Sequence, residues 1–240
     1  MKLITIKEAA EILGVTLTTL RRWDKNGQLP AIRPAKKSHR LYRLEDIEAL
    51  ATDLFSTAKR WVSQEKGSEL EQETYCQNSS IFQVRLQRLE FEMTKIPALK
   101  DIFSLVSSTS GEIGNNSFDH NLGSWLDMPG IFFGYDLRKR VVVLADRGQG
   151  VLRSLKRVRP ALENDEEALM VAFTEVVTGR APEQRGNGLK YVRRVITGSE
   201  MELFFQTGSA RLILRKGEKE IIVNKNSDMF VHGCLASIKF

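Results

Sequence analysis

The feature that most constrains this chain is a pair of short, capped helical patterns at its start, separated by a single glycine and followed by a concentration of positive charge. Thr5-Ile6-Lys7-Glu8 has the form of a reciprocal cap, in which Thr5 accepts from the Glu8 backbone and the Glu8 side chain reaches back. It opens a helix carrying Ala9, Ala10, Ile12 and Leu13, which Gly14 stops. Thr16 caps a second helix from Leu17 to about Lys25, closed by Asn26-Gly27. Between Thr16 and Arg43 lie Arg21, Arg22, Lys25, Arg33, Lys36, Lys37, Arg40 and Arg43, opposed only by Asp24.

Two short helices around a glycine turn make a helix-turn-helix candidate. Residues 29–43 contain Pro30 and Pro34 and no helical period, which suits two short strands around a basic tip, a wing. Residues 44–50 start another helix that continues toward Trp61. On the second helix Leu20 and Trp23 are the core positions, while Thr18, Thr19, Arg21, Arg22 and Lys25 are offered to solvent. Arginine pairs with guanine edges or phosphates, and threonine with phosphates or a thymine methyl, so this helix suits the major groove of double-stranded DNA. Arg33, Lys36, Lys37, His39, Arg40, Tyr42 and Arg43 supply a second contact from the wing, to phosphate or the minor groove.

Residues 4–16, with Thr19-Leu20-Arg21-Arg22-Trp23-Asp24 and His39-Arg40-Leu41-Tyr42, closely resemble the MerR-type winged helix-turn-helix. The module also looks like the N-terminal part of excisionases and of some serine recombinases. The resemblance covers about the first fifth of the chain and implies DNA binding, with a homodimer on a palindromic site as the expected assembly. It departs from typical MerR regulators after residue 50, where no long antiparallel coiled-coil helix follows.

With 240 residues, 42% of them hydrophobic and 28% charged, the chain is expected to fold as two unequal globular domains. No apolar stretch approaches the roughly 20 residues of a membrane span, so no membrane partner and a cytoplasmic location are expected. Cys76, Cys234, His39, His120 and His232 are scattered, which argues against a zinc site or a disulfide framework and leaves both cysteines as free thiols. The expected boundaries are a DNA-binding domain at 1–52, a helical extension and linker at 53–80, with the linker itself in the polar stretch 62–80, and a second domain at 81–240.

In the second domain the alternation of Phe82, Val84 and Leu86 favours a strand over residues 81–93. Pro97 opens a long helix through Phe118, strands follow at 131–135 and 139–145, and helices at 150–157, 165–177 and 188–196. Strands near 201–206, 210–215, 220–224 and 233–239 complete a helix-and-sheet sandwich. The expected fold class is thus multidomain, an α-rich winged helix-turn-helix joined to an α+β domain.

Three strings in that domain carry chemistry. Glu112, Asn116 and Asp119 are spaced by four and then three residues, which puts three polar acceptors on one helical stripe. A surface-facing stripe would account for them, as would binding water and a magnesium ion that keeps some of its waters. Asp146-Arg147-Gly148-Gln149-Gly150 directly follows a hydrophobic strand; glycines there let a backbone approach a flat ligand, and an aspartate can accept from an exocyclic amine. Arg185-Gly186-Asn187-Gly188-Leu189 is a glycine-rich turn entering a helix whose free N–H groups favour phosphate. A phosphate loop ending in Gly-Lys-Ser/Thr is absent.

Taken in order, the three strings resemble the motifs of the GHKL ATPase superfamily of gyrase, heat-shock chaperones and histidine kinases, over roughly residues 81–240. The resemblance implies a Bergerat-type α/β sandwich that binds ATP with Mg2+. It implies Asp146 on the adenine amine, with Gly148, Gly150 and Val151 packed close. It assigns Asn116 to magnesium, Asp119 to the nucleotide site, Gly186, Gly188, Leu189 and Arg185 to the phosphates, and Glu112 to the general base of a magnesium-dependent ATPase. The expected function is a DNA-binding transcriptional regulator in which ATP binding or slow hydrolysis modulates DNA binding or assembly. A serine/threonine kinase of the anti-sigma-factor type acting on a protein partner encoded nearby, and an inactive interaction module, stand as alternatives.

Overall fold

Thr5 and Glu8 cap each other: the Glu8 N–H donates to Thr5 Oγ1 (3.3 Å) and the Glu8 carboxylate accepts from the Thr5 N–H (2.7 Å). The computed structural model in which this cap is seen describes residues 2–13, 15–27, 29–33, 39–51, 53–175, 188–226 and 229–240. The chain divides into two units, Met1–Arg60 and Trp61–Phe240.

In the first unit, β1 (Leu3–Thr5) leads into α1 (Ile6–Leu13) and α2 (Leu17–Lys25), and β1 pairs antiparallel with β2 (Leu41–Arg43) through Ile4 opposite Tyr42. Thr16 Oγ1 accepts from the Thr19 N–H (3.1 Å), starting α2. A single antiparallel bridge, Ile32 to Leu41, marks the base of the wing; its tip, with Lys36 and Lys37, lies outside the described residues. Ile4, Ala9, Ala10, Leu13, Leu20, Leu29, Tyr42 and Ile47 form one small core. The helix expected to run from Leu44 toward Trp61 is two: α3 (Leu44–Ala51), then α4 (Leu54–Ser63), whose start Asp53 caps by accepting from the Ser56 N–H (3.0 Å).

The stretch expected to be a linker, 62–80, is built into the second unit: Trp61, Val62 and Cys76 are buried, and β3 (Tyr75–Cys76) pairs with the edge of the sheet. Residues 81–93 are helical and not extended. They belong to α5 (Ser79–Thr94), capped by Asn78, whose side chain accepts from the Ile81 N–H (3.0 Å). Phe82, Leu86, Leu89 and Met93 are buried, a spacing of four, three and four that is one helical face, whereas Val84 is 66% exposed. Pro97 starts only a short 3-10 turn, Pro97–Leu99, and the long helix is α6 (Phe103–Asn121). Helices α5 and α6 approach so closely that a Cβ on Gly114 would lie 2.2 Å from the Phe82 ring.

Strands β4 (Ile131–Asp136) and β5 (Val141–Asp146), helices α7 (Gly150–Lys156), α8 (Asp165–Thr174) and α9 (Gly188–Thr197), and strands β6 (Glu202–Gly208), β7 (Ala210–Leu214), β8 (Val223–Lys225) and β9 (Val231–Lys239) complete the unit. The seven strands form one antiparallel sheet in the order β3-β4-β5-β9-β6-β7-β8. The last long strand in sequence is therefore at the centre, between β5 and β6. Side chains of α5, α6, α8 and α9 share one core with sheet residues such as Phe133, Leu144, Phe205 and Ala236. The architecture is α+β in two units. Among the described residues no helix is long and apolar enough to cross a membrane. Both cysteines are free thiols.

Candidate functional site

Two surfaces gather the residues singled out above. On the first unit, Thr18, Arg21, Arg22 and Lys25 of α2 are exposed, Leu20 is buried and Trp23 is half-buried in the core behind them. Thr19 is half-buried, its hydroxyl bonded to that of Thr16 (3.0 Å). His39 and Arg43 are exposed. Tyr42 is not part of this face: it is 1% exposed and packs in the core behind α2, because β2 turns it inward between the half-buried Leu41 and the exposed Arg43.

Arg33 and Arg40 are exposed only in part, since both donate to the Asp24 carboxylate, Arg40 Nε at 2.7 Å, and the Ala31 N–H adds a third bond at 3.0 Å. Burial alone would raise the Asp24 pKa; the Ala31 N–H and the two guanidinium groups outweigh it and hold the carboxyl below its ordinary value. Asp24 thus ties the base of the wing to the end of α2 and takes up part of the charge that the two arginines carry.

The second surface is a cavity of about 730 Å³ in the second unit, enclosed by α6, α7, α8, α9 and the ends of β5, β6 and β9. Glu112, Asn116, Asp119, Asp146, Gly150, Val151, Gly188 and Leu189 all border it, so parts of all three strings meet at one site. Arg185 and Gly186 lie outside the described residues. At the start of α9, a Cβ on Gly188 would lie 2.6 Å from Glu112 Oε2 and 3.2 Å from the Asn116 side chain, so the first and third strings are in direct apposition.

Asp146 closes the floor and is 1% exposed. Ser117 Oγ donates to its Oδ2 (2.8 Å), and Asn121 Nδ2 (3.0 Å) and the Gly148 N–H (2.9 Å) donate to its Oδ1. Burial raises its pKa to about 6 against these donors, which favour the charged form. Gly148 does not border the cavity. A Cβ there would meet the Asn121 amide at 2.0 Å, so the glycine is required by Asn121 and not by a ligand. The Asn121 oxygen accepts in turn from the Gln149 N–H (3.0 Å), and Thr207 Oγ1 accepts from the Val151 N–H (3.1 Å) while donating to Gly233 O (2.9 Å). Cys234 borders the same floor, its thiol pKa pushed well up, first by burial and then by the Asp146 charge.

Sequence reasoning missed Ser117, Asn121, Thr207 and Cys234. Ser117 and Asn121 carried a usable signal, since they are four apart on α6 and form a second polar stripe beside that of Glu112 and Asn116. Among the described residues no group of three or more His, Cys, Asp or Glu is arranged to hold a metal ion. A magnesium ion here would have Asn116 as a single oxygen ligand and take the rest from water and phosphate, a division this ion commonly accepts.

The first unit, with its capped helix pair, exposed basic second helix and two-stranded closure, defines a helix-turn-helix domain. Residues 3–53 match the family model described as a helix-turn-helix domain. A stretch of 62 residues is 34% identical to the Type II methyltransferase M.Eco47II of Escherichia coli, covering 26% of this chain and 15% of that protein. Another of 57 residues is 39% identical to the transcriptional repressor DcmR of Methylorubrum extorquens, covering 24% of this chain and 22% of that protein. The match thus spans less than a quarter of either relative.

Proposed function

We propose that this chain is a DNA-binding transcriptional regulator whose second unit binds ATP with magnesium, and that nucleotide binding or slow hydrolysis modulates its DNA binding or assembly. The helix-turn-helix domain and the similarity to a transcriptional repressor support the first half. The second half is supported by one observation above others: three strings far apart in sequence meet at one cavity, with a buried, charge-strained carboxylate at its floor and Gly188 against Glu112 and Asn116 at its wall.

In this reading Asp146, whose Oδ2 accepts from the Ser117 hydroxyl, also accepts from the exocyclic amine of the base. Val151 and Leu189 pack on the base. Asn116 would hold magnesium, which supplies charge neutralisation to the phosphates. Glu112 orients a water molecule and takes its proton. Among the described residues, the carboxylates of Glu112, Asp119, Asp146 and Glu175 border the cavity with the guanidinium of Arg157, so a cation carried with the phosphates would offset like charge there.

The test is to incubate the purified chain with magnesium and ATP labelled on the γ-phosphate, with and without DNA. Saturable binding that chelation of magnesium weakens by at least about tenfold, and that Asp146→Asn abolishes, is expected; adenosine binding is expected to be indifferent to the metal. Released phosphate that stops in Glu112→Ala assigns that residue its role. Absence of any saturable nucleotide binding by the native chain sinks the reading of the second unit and leaves the helix-turn-helix domain untouched.

A further inference from the structure

Arg147 lies in the middle of the Asp146–Gly150 string, yet its side chain points away from the cavity and is fully buried. All five of its N–H donors are used. Nε and Nη2 grip the Asp127 carboxylate (2.9 and 2.7 Å), Nη1 donates to Trp61 O (2.6 Å) and Gln64 O (2.9 Å), and Nη2 donates to Glu65 O (3.2 Å). Those three carbonyls belong to the last turn of α4 and the residues just after it. Carbonyls at a helix end have no partner within the helix, so here the guanidinium serves as the cap that a glycine motif ordinarily provides. Asp127 also accepts from the Gly67 N–H (2.7 Å), and Leu126 N–H donates to Arg147 O (3.1 Å), which fastens the loop after α6 to the same residue.

Asp146 and Arg147 are consecutive, so one peptide joins the cavity floor to the end of α4. Helix α4 begins inside the first unit, where Arg60 Nη1 donates to Ile12 O of α1 (3.3 Å). A ligand that engages Asp146 and Gly150 orders a loop with few alternatives, since Gly148 is pinned against Asn121 and Arg147 has no spare donor. Any displacement of that loop must break or re-form bonds at the α4 terminus.

We propose that Arg147 is a positioning residue that couples occupancy of the cavity to the end of α4, and through that helix to DNA affinity. The inference rests on the nucleotide reading above and adds its means of regulation. Removing Arg147 itself would take the guanidinium from Asp127 and from three helix-end carbonyls and risks the fold, so two gentler variants test it. Asp127→Asn weakens the grip from a half-exposed position. Gly67→Ala puts a Cβ about 2.9 Å from Arg147 Nε and presses on the guanidinium without changing charge.

For the native chain and both variants, three quantities are measured: affinity for a fluorescent ATP analogue with magnesium, DNA affinity with and without ATP and magnesium, and amide hydrogen exchange. Exchange in β6 and β9 serves as the control for an intact fold. In the native chain, nucleotide is expected to change the DNA dissociation constant by at least about fivefold and to slow exchange at 61–67. The variants are expected to bind nucleotide within about twofold of the native chain while their DNA dissociation constants respond to it by less than about twofold. Variants that keep the native response, or a nucleotide-bound native chain whose exchange at 61–67 is unchanged, overturn the proposal. Should the native chain bind no nucleotide, the parent reading fails. The link itself is then judged in Asp127→Asn alone: a joint rise of exchange at 61–67 and 146–151 sustains it, and a rise at one without the other refutes it.

Discussion

Asp146 accepts from Ser117, Asn121 and the backbone N–H groups of Gly148 and Cys234, yet burial outweighs them and raises its pKa from the 3.8 of a free aspartate to about 6. Between those two values the folded chain holds a proton that the unfolded chain has released, so stability falls as pH rises through the window and stays lower above it. A shift of roughly two units corresponds to about 3 kcal/mol lost in the charged state. Asp146→Asn removes this titration. Its melting temperature relative to the native chain is therefore expected to be more favourable at about pH 7.5 than at about pH 4.5, and an equal difference at both values would mean that Asp146 does not titrate in this range. The aspartate was legible in the sequence because it ends a hydrophobic strand next to two glycines. Its partners were not. A serine, an asparagine and a cysteine are ordinary residues in ordinary elements, and only the crossing of α6 over the ends of β5 and β9 brings them to one carboxylate. Gly148 shows the same limit from the other side: the sequence marked it as special, but for a ligand, when the neighbour that requires it is Asn121.

At the level of elements, the capped helices of the first unit and the valine-rich β5 were legible because their signals are local. Residues 81–93 were not, because Phe82, Val84 and Leu86 fit a strand period and Phe82, Leu86, Leu89 and Met93 fit a helical one over the same segment. What decides between them is long-range: α5 lies against α6, where Gly111 and Gly114 remove side chains from the contact and admit Leu86 and Phe82. Two substitutions separate the alternatives in solution. Leu86→Ala is expected to cost about 2–5 kcal/mol in denaturant unfolding, as for a buried leucine. Val84→Asp, on the exposed face, is expected to stay within about 0.5 kcal/mol of the native chain. In a strand both residues would share one face and suffer alike, so comparable losses would contradict the helix. The break between α3 and α4 was missed for a related reason, since Asp53 looks like one more acidic residue in a helix until its carboxylate is seen to cap the next one.

For the molecule as a whole, charge separates the two units. Residues 1–60 carry 12 Lys and Arg against 7 Asp and Glu, a net +5 out of the chain's +6. The second unit is therefore nearly neutral, with carboxylates around its cavity, and a polyanion is drawn to the first unit alone. Each phosphate neutralised by a side chain releases counterions, so the logarithm of DNA affinity falls with the logarithm of salt concentration by about 0.9 per contact. Arg21 is exposed on α2, and Arg21→Ala is expected to make that slope shallower by about one contact. Arg33 shares Asp24 with Arg40, so two guanidinium groups and one carboxylate present a single net charge there. Arg33→Ala is accordingly expected to change the slope by less than Arg21→Ala does, even if it lowers affinity by loosening the base of the wing. Lys216→Ala, in the second unit and already paired with Glu200, is expected to leave the slope unchanged. Titrating labelled DNA at several salt concentrations with the three variants settles the order. A slope that responds to Lys216 as it does to Arg21 would show that DNA contacts the second unit, and the division of labour argued from charge would have to be abandoned.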